Sequence, residues 1–162
     1  MIYVPYTNLY EETKDALVTA GLPWTGVDVS GSESNYWDLM HQLWASGETF
    51  VIVEHDIVVG GASVQLMLEC SHLWCACSYP YFMGPYAGLG CTKFEGSLTQ
   101  AYPHAMDQVG QMFDEQHPMK HWCRIDHWLW TVLHQVGLGR HVHDGTGVGH
   151  MDVQSLSTHG CL

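Results

Sequence analysis

Apolar residues recur along this chain with the two periods that distinguish strands from helices. Short apolar runs at residues 2–4, 24–29 and 50–58 predict strands, and the segments between them carry helical stripes. The second stripe is the clearest, because its apolar residues fall at i, i+3, i+4, i+7 and i+8: Tyr36, Leu39, Met40, Leu43 and Trp44. The order strand, helix, strand, helix, strand predicts an α/β fold, with a mostly parallel sheet flanked by helices.

The ends of these two helices also carry sequence signals. Asn8 stands three residues before Glu11, which is the spacing of a capping box, and so predicts that the first helix begins just after Asn8. Gly21 and Gly47 predict the C-terminal ends of the first and second helices, because glycine adopts the left-handed conformation that ends many helices.

The second half of the chain is less regular. It predicts a short helix at residues 62–69, a strand at 74–79, a binding loop rich in Pro, Gly and aromatic residues at 80–90, and a strand at 89–94. One helix is expected within residues 101–118, and a clear apolar stripe predicts another at 121–136. The sequence shows no linker, repeat or low-complexity segment, so a single domain over residues 1–162 is expected.

The composition is strongly acidic: 17 Asp and Glu against five Lys and Arg give a net charge of -12. Such a surface repels polyanions, so broad nucleic-acid binding is not expected. A chain with so few cations needs a metal ion to hold a phosphorylated ligand. No apolar run approaches the ~18 residues of a membrane span, and the N-terminal residues lack a signal-peptide pattern. We therefore expect a cytoplasmic protein that does not bind membranes.

Cysteine and histidine are frequent but scattered. None of the six cysteines forms a C-x-x-C pair, which favours buried thiols over a disulfide framework and argues against a Cys/His zinc site. The twelve histidines are dispersed along the sequence, which argues against a metal-storage role. His141 and His143 share one face of a predicted strand, and we expect them to be structural, or spare ligands if His150 does not bind a metal.

Two carboxylates follow the most apolar stretch, at residues 50–53. If the strand continues, its alternation places Glu54 and Asp56 on one face and His55 on the other. Ligands of open α/β sheets bind at the carboxyl ends of the strands, where an acidic pair would suit a divalent cation. A polar strand end that enters a solvated loop is an equally good interpretation.

Asp126 and His150 are the other candidates for chemistry. Asp126 lies at the edge of the apolar stripe of helix 121–136, where a carboxylate is costly unless it is functional or paired, for example with Arg124. His150 follows a Gly-rich segment that is flexible enough to fold back over the sheet.

Several short motifs, taken in order, resemble those of a small glycosyltransferase of the GT-A type, similar to compact, inverting, family-2-like members from bacteriophages. The likeness covers nearly the whole chain, and the order of the motifs carries it. The motifs are residues 4–8 (VPYTN), Asp28, residues 34–56 ending in Glu54-His55-Asp56 at the D-x-D position, and residues 89–94 (LGCTKF), 124–129 (RIDHWL) and 148–152 (VGHMD).

This resemblance implies a nucleotide-sugar donor, such as a UDP- or GDP-sugar, a hydroxyl acceptor, and a Mn²⁺ or Mg²⁺ cofactor. It also implies a protein that a virus could encode and use in the host cytoplasm. Asp126 would be the catalytic base, and Tyr81 and Trp122 would contact the acceptor. The implied metal ligands are Asp56, His150 and Glu54. The implied donor-binding residues are Pro5, Tyr6, Thr7, Asp28, Glu54, Gly90 and Arg124.

Two departures and several alternatives accompany this interpretation. Glu54 replaces the first aspartate of the D-x-D motif, and Ile125 replaces the acidic residue that precedes the base. Asp28 could simply end a strand in a turn, and Tyr81 and Trp122 could be packing residues. A nucleotidyltransferase also places carboxylates at strand ends around Mg²⁺, but it normally has a basic, Gly-rich loop that residues 5–8 lack. A non-catalytic module that binds a sugar nucleotide is the further alternative.

Overall fold

The computed structural model describes residues 1–32, 34–81, 84–116, 122–144 and 147–151. The strands in this part of the chain are β1 (Ile2–Tyr6), β2 (Trp24–Asp28), β3 (Phe50–Val53), β4 (Ile57–Val59), β5 (Trp74–Cys77), β6 (Tyr79–Tyr81), β7 (Gly84–Tyr86), β8 (Cys91–Phe94), β9 (His141–His143) and β10 (Val148–His150). The helices are α1 (Glu11–Ala20), α2 (Asn35–Ala45), α3 (Gly61–Glu69), α4 (Gly96–Ala101), α5 (Ala105–Gln116) and α6 (Trp122–Gln135).

Six strands form one sheet in the order β2-β1-β3-β8-β5-β9. Strand β1 runs parallel to β2 and β3, and β5 runs parallel to β9. Strand β8 is antiparallel to both of its neighbours, so five of the six strands share one direction. The α/β class with a mostly parallel sheet is confirmed. Two smaller pairs accompany this sheet: β10 with β4, and the hairpin of β6 with β7.

The central strand β3 shows why helices cover both faces of the sheet. All four of its residues are buried, and successive side chains point to opposite sides. Phe50 and Ile52 join the cluster formed with α2, α5 and α6, whereas Val51 and Val53 join the cluster formed with α1 and α3. A short run that is apolar at every position is therefore what a strand between two helical layers requires.

Helix α2 has the predicted apolar stripe, and all five residues of that stripe are buried. One of them, Trp44, packs against Phe94 at 5.5 Å between ring centroids and donates its indole N–H to the carbonyl of Tyr102 at 2.8 Å. Gly21 and Gly47 have positive φ values of 66° and 71° at the ends of α1 and α2, as predicted.

Two local predictions are wrong, and one is confirmed. The helix expected within residues 101–118 is α5, which begins at Ala105 and follows the short helix α4. Helix α1 begins at Glu11 with Tyr10 at its N-cap and no side-chain cap, so the capping box of Asn8 does not form. The strand predicted over 50–58 breaks at residues 54–56, because the Ile57 N–H closes a turn onto the Glu54 carbonyl at 3.0 Å.

The break after β3 changes the geometry of the acidic pair. Strand β4 leaves the main sheet and pairs with β10 instead. The strand alternation invoked for Glu54 and Asp56 therefore does not apply, and both residues project from a turn.

Among the described residues, no helix combines the length and the apolar character that crossing a bilayer requires.

Candidate active site

The turn at residues 54–56 lies at the carboxyl end of β3, beside the end of the parallel strand β1. The Glu54 N–H donates to the Gly90 carbonyl at 2.9 Å, which ties this turn to the loop that precedes β8. The carboxyl edge of parallel strands is where ligands of open α/β sheets bind. The fold thus places the acidic turn at the expected ligand crevice.

The structure brings Asp56 and His150 together. Strand β10 pairs antiparallel with β4, with His150 opposite Ile57, and the Met151 N–H donates to the Asp56 carbonyl at 2.8 Å. As a result, His150 Nε2 lies 3.4 Å from Asp56 Oδ2, and the side chains are only 6% and 12% exposed, respectively. The backbone pairing, and not the flexibility of the Gly-rich segment, positions the histidine.

The side chain of Glu54 is hydrogen-bonded to helix α2. Its Oε1 accepts a hydrogen bond of 2.9 Å from the hydroxyl of Tyr36, a buried residue of α2. Burial and the neighbouring charge of Asp56 raise the pKa of Glu54 to about 8, although the Tyr36 hydrogen bond opposes this rise. Glu54 thus holds a proton more tightly than an ordinary carboxyl group when no cation is near.

Asp126 projects from α6 toward the same region. The Tyr86 hydroxyl donates a hydrogen bond to its Oδ2, and the Leu89 N–H donates a further one. Burial raises the pKa of Asp126, while these donors and the positive charge of Arg140 act in the opposite direction. Ile125, the neighbour where the resemblance expects an acidic residue, is fully buried in the core.

Glycines allow these groups to approach one another. A Cβ atom on Gly88 would collide with Asp126 Oδ2 and with the ring of Tyr86. A Cβ atom on Gly90 would lie 2.8 Å from the hydroxyl of Tyr79. Tyr79 in turn stacks on His150 at 5.6 Å between ring centroids. Gly90, assigned to the donor by resemblance, here makes room for an aromatic ring that supports His150.

A small, shallow cleft opens beside the end of β1. Its lining includes three of the predicted donor-binding residues, Pro5, Thr7 and Glu54. The other lining residues are Val29, Tyr36 and His55. The ring of Tyr6, in contrast, lies against Gly26 of β2, at 3.2 Å from the position of a Cβ there.

Asp28 ends β2 in a turn, which was the alternative interpretation of this residue. Its Oδ1 accepts hydrogen bonds from the Ser30 N–H at 2.9 Å and from the Ser30 hydroxyl at 2.6 Å. These bonds lower the pKa of Asp28, so the exposed residue carries a negative charge. A role of Asp28 in nucleoside binding stays a prediction.

The placement of Arg124 differs from what the sequence suggested. Arg124 lies two residues before Asp126 on α6, which turns it roughly 200° around the helix axis, so the two are not neighbours across one face. Lys93, a cation of β8, is fully buried and forms an ion pair with Glu95 at 2.6 Å. Binding of the nucleotide-sugar donor by Arg124 stays a prediction, whereas the ion pair of Lys93 with Glu95 belongs to the interior of the fold.

Arg140 and Tyr36 are the site residues that sequence reasoning missed. Arg140 precedes β9 and acts electrostatically on both Asp126 and Tyr86. The scarcity of cations was the signal that could have drawn attention to it. Tyr36 was hidden because it belongs to the apolar stripe of α2. The side chains of Tyr81 and Trp122, the predicted acceptor contacts, lie outside the described part of the structure.

The side-chain oxygen and nitrogen atoms at the turn are suitable ligands for a divalent cation. Asp56 Oδ1 is buried and has no hydrogen-bond partner among the described residues, a costly state for a carboxylate oxygen. A cation at this point would satisfy it, with the His150 imidazole adjacent. Direct coordination by Glu54 requires that it give up its hydrogen bond with Tyr36, whereas coordination through water does not.

No family model matches the sequence, and no curated protein is significantly similar to it. Two solved structures are similar in fold. One is a glycosyltransferase involved in the glycosylation of the major capsid of PBCV-1, with a TM-score of 0.56, 12% identity, and coverage of 96% of this chain and 95% of the other. The second is A197 from STIV, with a TM-score of 0.51, 9% identity, and coverage of 89% of this chain and 81% of the other. At such low identity the similarity concerns the fold alone, and it shows that this chain shares an α/β fold with these two proteins.

Proposed function

We propose that this protein is a glycosyltransferase that moves a sugar from a nucleotide-sugar donor to a hydroxyl acceptor, with a Mn²⁺ or Mg²⁺ ion held by Asp56 and His150. The observation that carries the proposal is the buried pair of Asp56 Oδ2 and His150 Nε2, 3.4 Å apart, at the carboxyl edge of the sheet. These residues are 94 positions apart in sequence, and a dedicated strand pair, β4 with β10, brings them together.

The cleft beside β1 is where we place the nucleoside of the donor. Pro5 and Val29 offer apolar surface to a base or a ribose, and Thr7 and His55 also line the cleft. The cleft borders Glu54, so a nucleoside bound there would direct its phosphates toward the turn at residues 54–56. When bound, the divalent cation would offset the negative charge of the two donor phosphates, which leave together as the diphosphate.

Arg140 is the protein cation that we assign to the same task. Its charge acts on Asp126 and Tyr86, which places the guanidinium within electrostatic range of the candidate base. In a chain with five basic residues, a guanidinium at the site is well suited to a phosphate oxygen, because its planar donors match that geometry.

Asp126 is our candidate for the general base. A base is most effective when its pKa lies near the working pH, and burial moves the pKa of Asp126 upward toward that range. Its Oδ2 now accepts a hydrogen bond from Tyr86. An acceptor hydroxyl would take the place of the Tyr86 hydroxyl, donate its proton to Asp126, and attack the anomeric carbon. The bond from that carbon to the diphosphate oxygen would break as the new bond forms, and the nucleoside diphosphate would leave. Inversion at that carbon is what the resemblance implies.

The test is a thermal-shift panel of UDP- and GDP-sugars with and without Mn²⁺, followed by an assay of sugar transfer and donor hydrolysis. We expect one nucleotide-sugar donor and Mn²⁺ together to raise the melting temperature of the wild-type protein by more than the sum of their separate effects. Asp56→Asn should abolish this additional stabilisation.

Asp107→Asn is the matched control, because Asp107 is also an aspartate beside a histidine, His41, at 2.9 Å, but it lies on the exposed surface of α5. This variant should behave like the wild type. Donor binding that is equally strong with and without Mn²⁺, or equally impaired by both substitutions, would contradict the proposal. Cooperative binding without transfer or hydrolysis would instead indicate a non-catalytic sugar-nucleotide module.

A further inference from the structure

A second group of metal-binding side chains lies away from the candidate active site. One potential ligand atom from each of Cys70, His141 and His143 lies within 4.8 Å of the other two. Cys70 is the residue at which α3 ends, and the two histidines are the first and last residues of β9. Two separate elements therefore supply the group.

The register of the sheet explains why these residues meet. Strand β9 runs parallel to β5, with His141 opposite Cys75 and His143 opposite Cys77. Cys75 and Cys77 belong to the core cluster on the side of the sheet that α3 covers. Residues opposite one another in neighbouring strands share a face, so both histidines point toward the end of α3. His141 and His143 share one strand face, as expected. Cysteine spacing, which argued against a Cys/His zinc site, reflects distance along the sequence only, and the sheet register brings Cys70 to these two histidines.

We propose that Cys70, His141 and His143 bind a zinc ion. One thiolate and two imidazoles are ligands that zinc prefers, and three protein ligands leave a fourth tetrahedral position. Zinc–sulfur bonds of about 2.3 Å and zinc–nitrogen bonds of about 2.0–2.1 Å would bring the ligand atoms to roughly 3.3–3.6 Å from one another. Side-chain rotation accounts for the contraction from the present spacing, which is at most 4.8 Å.

The surroundings of the group support this assignment. His143 Nε2 is buried without a hydrogen-bond partner among the described residues, and a metal ion at this nitrogen would supply one. The ring of His72 stacks on that of His141 at 4.0 Å between centroids, which helps to hold the His141 ring in place. The Lys93 ammonium donates to the Cys70 carbonyl, and its ion pair with Glu95 limits its repulsion of a cation.

The position of the group indicates what the zinc ion does. Within the described ranges, strand β9 has three residues and lies at the edge of the sheet, where it pairs with β5 alone. A zinc ion would anchor this short strand to the end of α3, and structural zinc sites contribute directly to folding free energy. The chain then continues from β9 to β10, which carries His150. The zinc site would thus hold the segment that delivers a residue to the candidate active site, without being part of that site.

The experiment uses the full chain, free of any affinity tag and stripped of metal with a chelator, titrated with Co²⁺ as a spectroscopic substitute for Zn²⁺. We expect one Co²⁺ per chain to produce the thiolate-to-cobalt charge-transfer band and the visible bands of a four-coordinate ion, and Zn²⁺ to displace it. Carboxylates and imidazoles alone, as at Asp56 and His150, give no thiolate band. Absence of the band in the wild-type protein would overturn the proposal without affecting the proposed function.

Substitutions identify the ligands. Cys70→Ser should remove the thiolate band, and His143→Ala should weaken Co²⁺ binding by more than the ~10–100-fold that loss of an outer-shell partner typically costs. Cys75→Ser is the matched thiol control, and His134→Ala, at an exposed position of α6, is the matched imidazole control. Asp56→Asn should leave the band intact. A band that persists in Cys70→Ser, or that Cys75→Ser removes, would show that the assigned ligands are wrong.

Discussion

Glu54→Gln tests the electrostatics of the candidate site more directly than any activity assay. The substitution preserves the shape of the side chain and an oxygen that can accept the hydrogen bond from Tyr36, but it removes the ionisable group. Burial, and next the charge of Asp56, raise the pKa of Glu54 from its ordinary value of 4.5 to about 8 in the folded protein. The unfolded chain loses this proton near pH 4.5, whereas the folded chain keeps it until about pH 8.

The sign and size of the effect follow from this difference. The stabilising contribution of the protonated group is complete below about pH 4.5 and is lost progressively as the pH rises toward about 8. The difference between these two pKa values, at about 1.36 kcal/mol per pKa unit, sets an upper bound of about 5 kcal/mol. Because Glu54 titrates together with its neighbours, we expect the measured loss to be about 2–4 kcal/mol.

The assay is urea unfolding, followed by tryptophan fluorescence, at a series of pH values between about 4.5 and 8 with a chelator present. The wild-type free energy of unfolding should fall with pH relative to that of Glu54→Gln. Asp126, whose pKa is also raised, adds a decline of the same sign, but both proteins share it. Glu48→Gln, the same substitution at an exposed position, serves as the control. If the curves of wild type and Glu54→Gln run parallel over this range, the inferred burial of Glu54 is wrong.

Three further outcomes are expected. Asp126→Asn should lower the transfer rate by about 10²–10⁴ while donor affinity changes little, and equal losses in rate and affinity would argue against a base. Arg140→Gln should move the rise of the pH–rate profile to higher pH, because the guanidinium lowers the pKa of Asp126 and its removal lets that pKa rise further. An unchanged profile would show that Arg140 does not influence the pKa of Asp126. Gly88→Ala should destabilise the fold by about 1–3 kcal/mol in urea unfolding, because the added methyl meets Asp126 and Tyr86, whereas Gly139→Ala, with open space around it, should have little effect.

The candidate site could be predicted only in part, and the reason differs from residue to residue. Asp56 and His150 were recognised by resemblance, but their contact depends on the pairing of β4 with β10, which no local pattern encodes. The geometry assumed for Glu54 was wrong, since a turn replaces the expected strand. Arg140 was overlooked because its only connection to Asp126 is spatial.

The sequence by itself determined the elements and their class. Periodicity and backbone preference are local properties, so three features could be recognised from the sequence. They are the apolar stripe of α2, the strand β3 that is buried on both faces, and the glycines that end α1 and α2. The tertiary structure alone decided which distant side chains meet: Tyr36 with Glu54, Asp56 with His150, and Cys70 with His141 and His143. Those contacts depend on strand order and register, which the burial of the whole core fixes and which a single segment cannot specify.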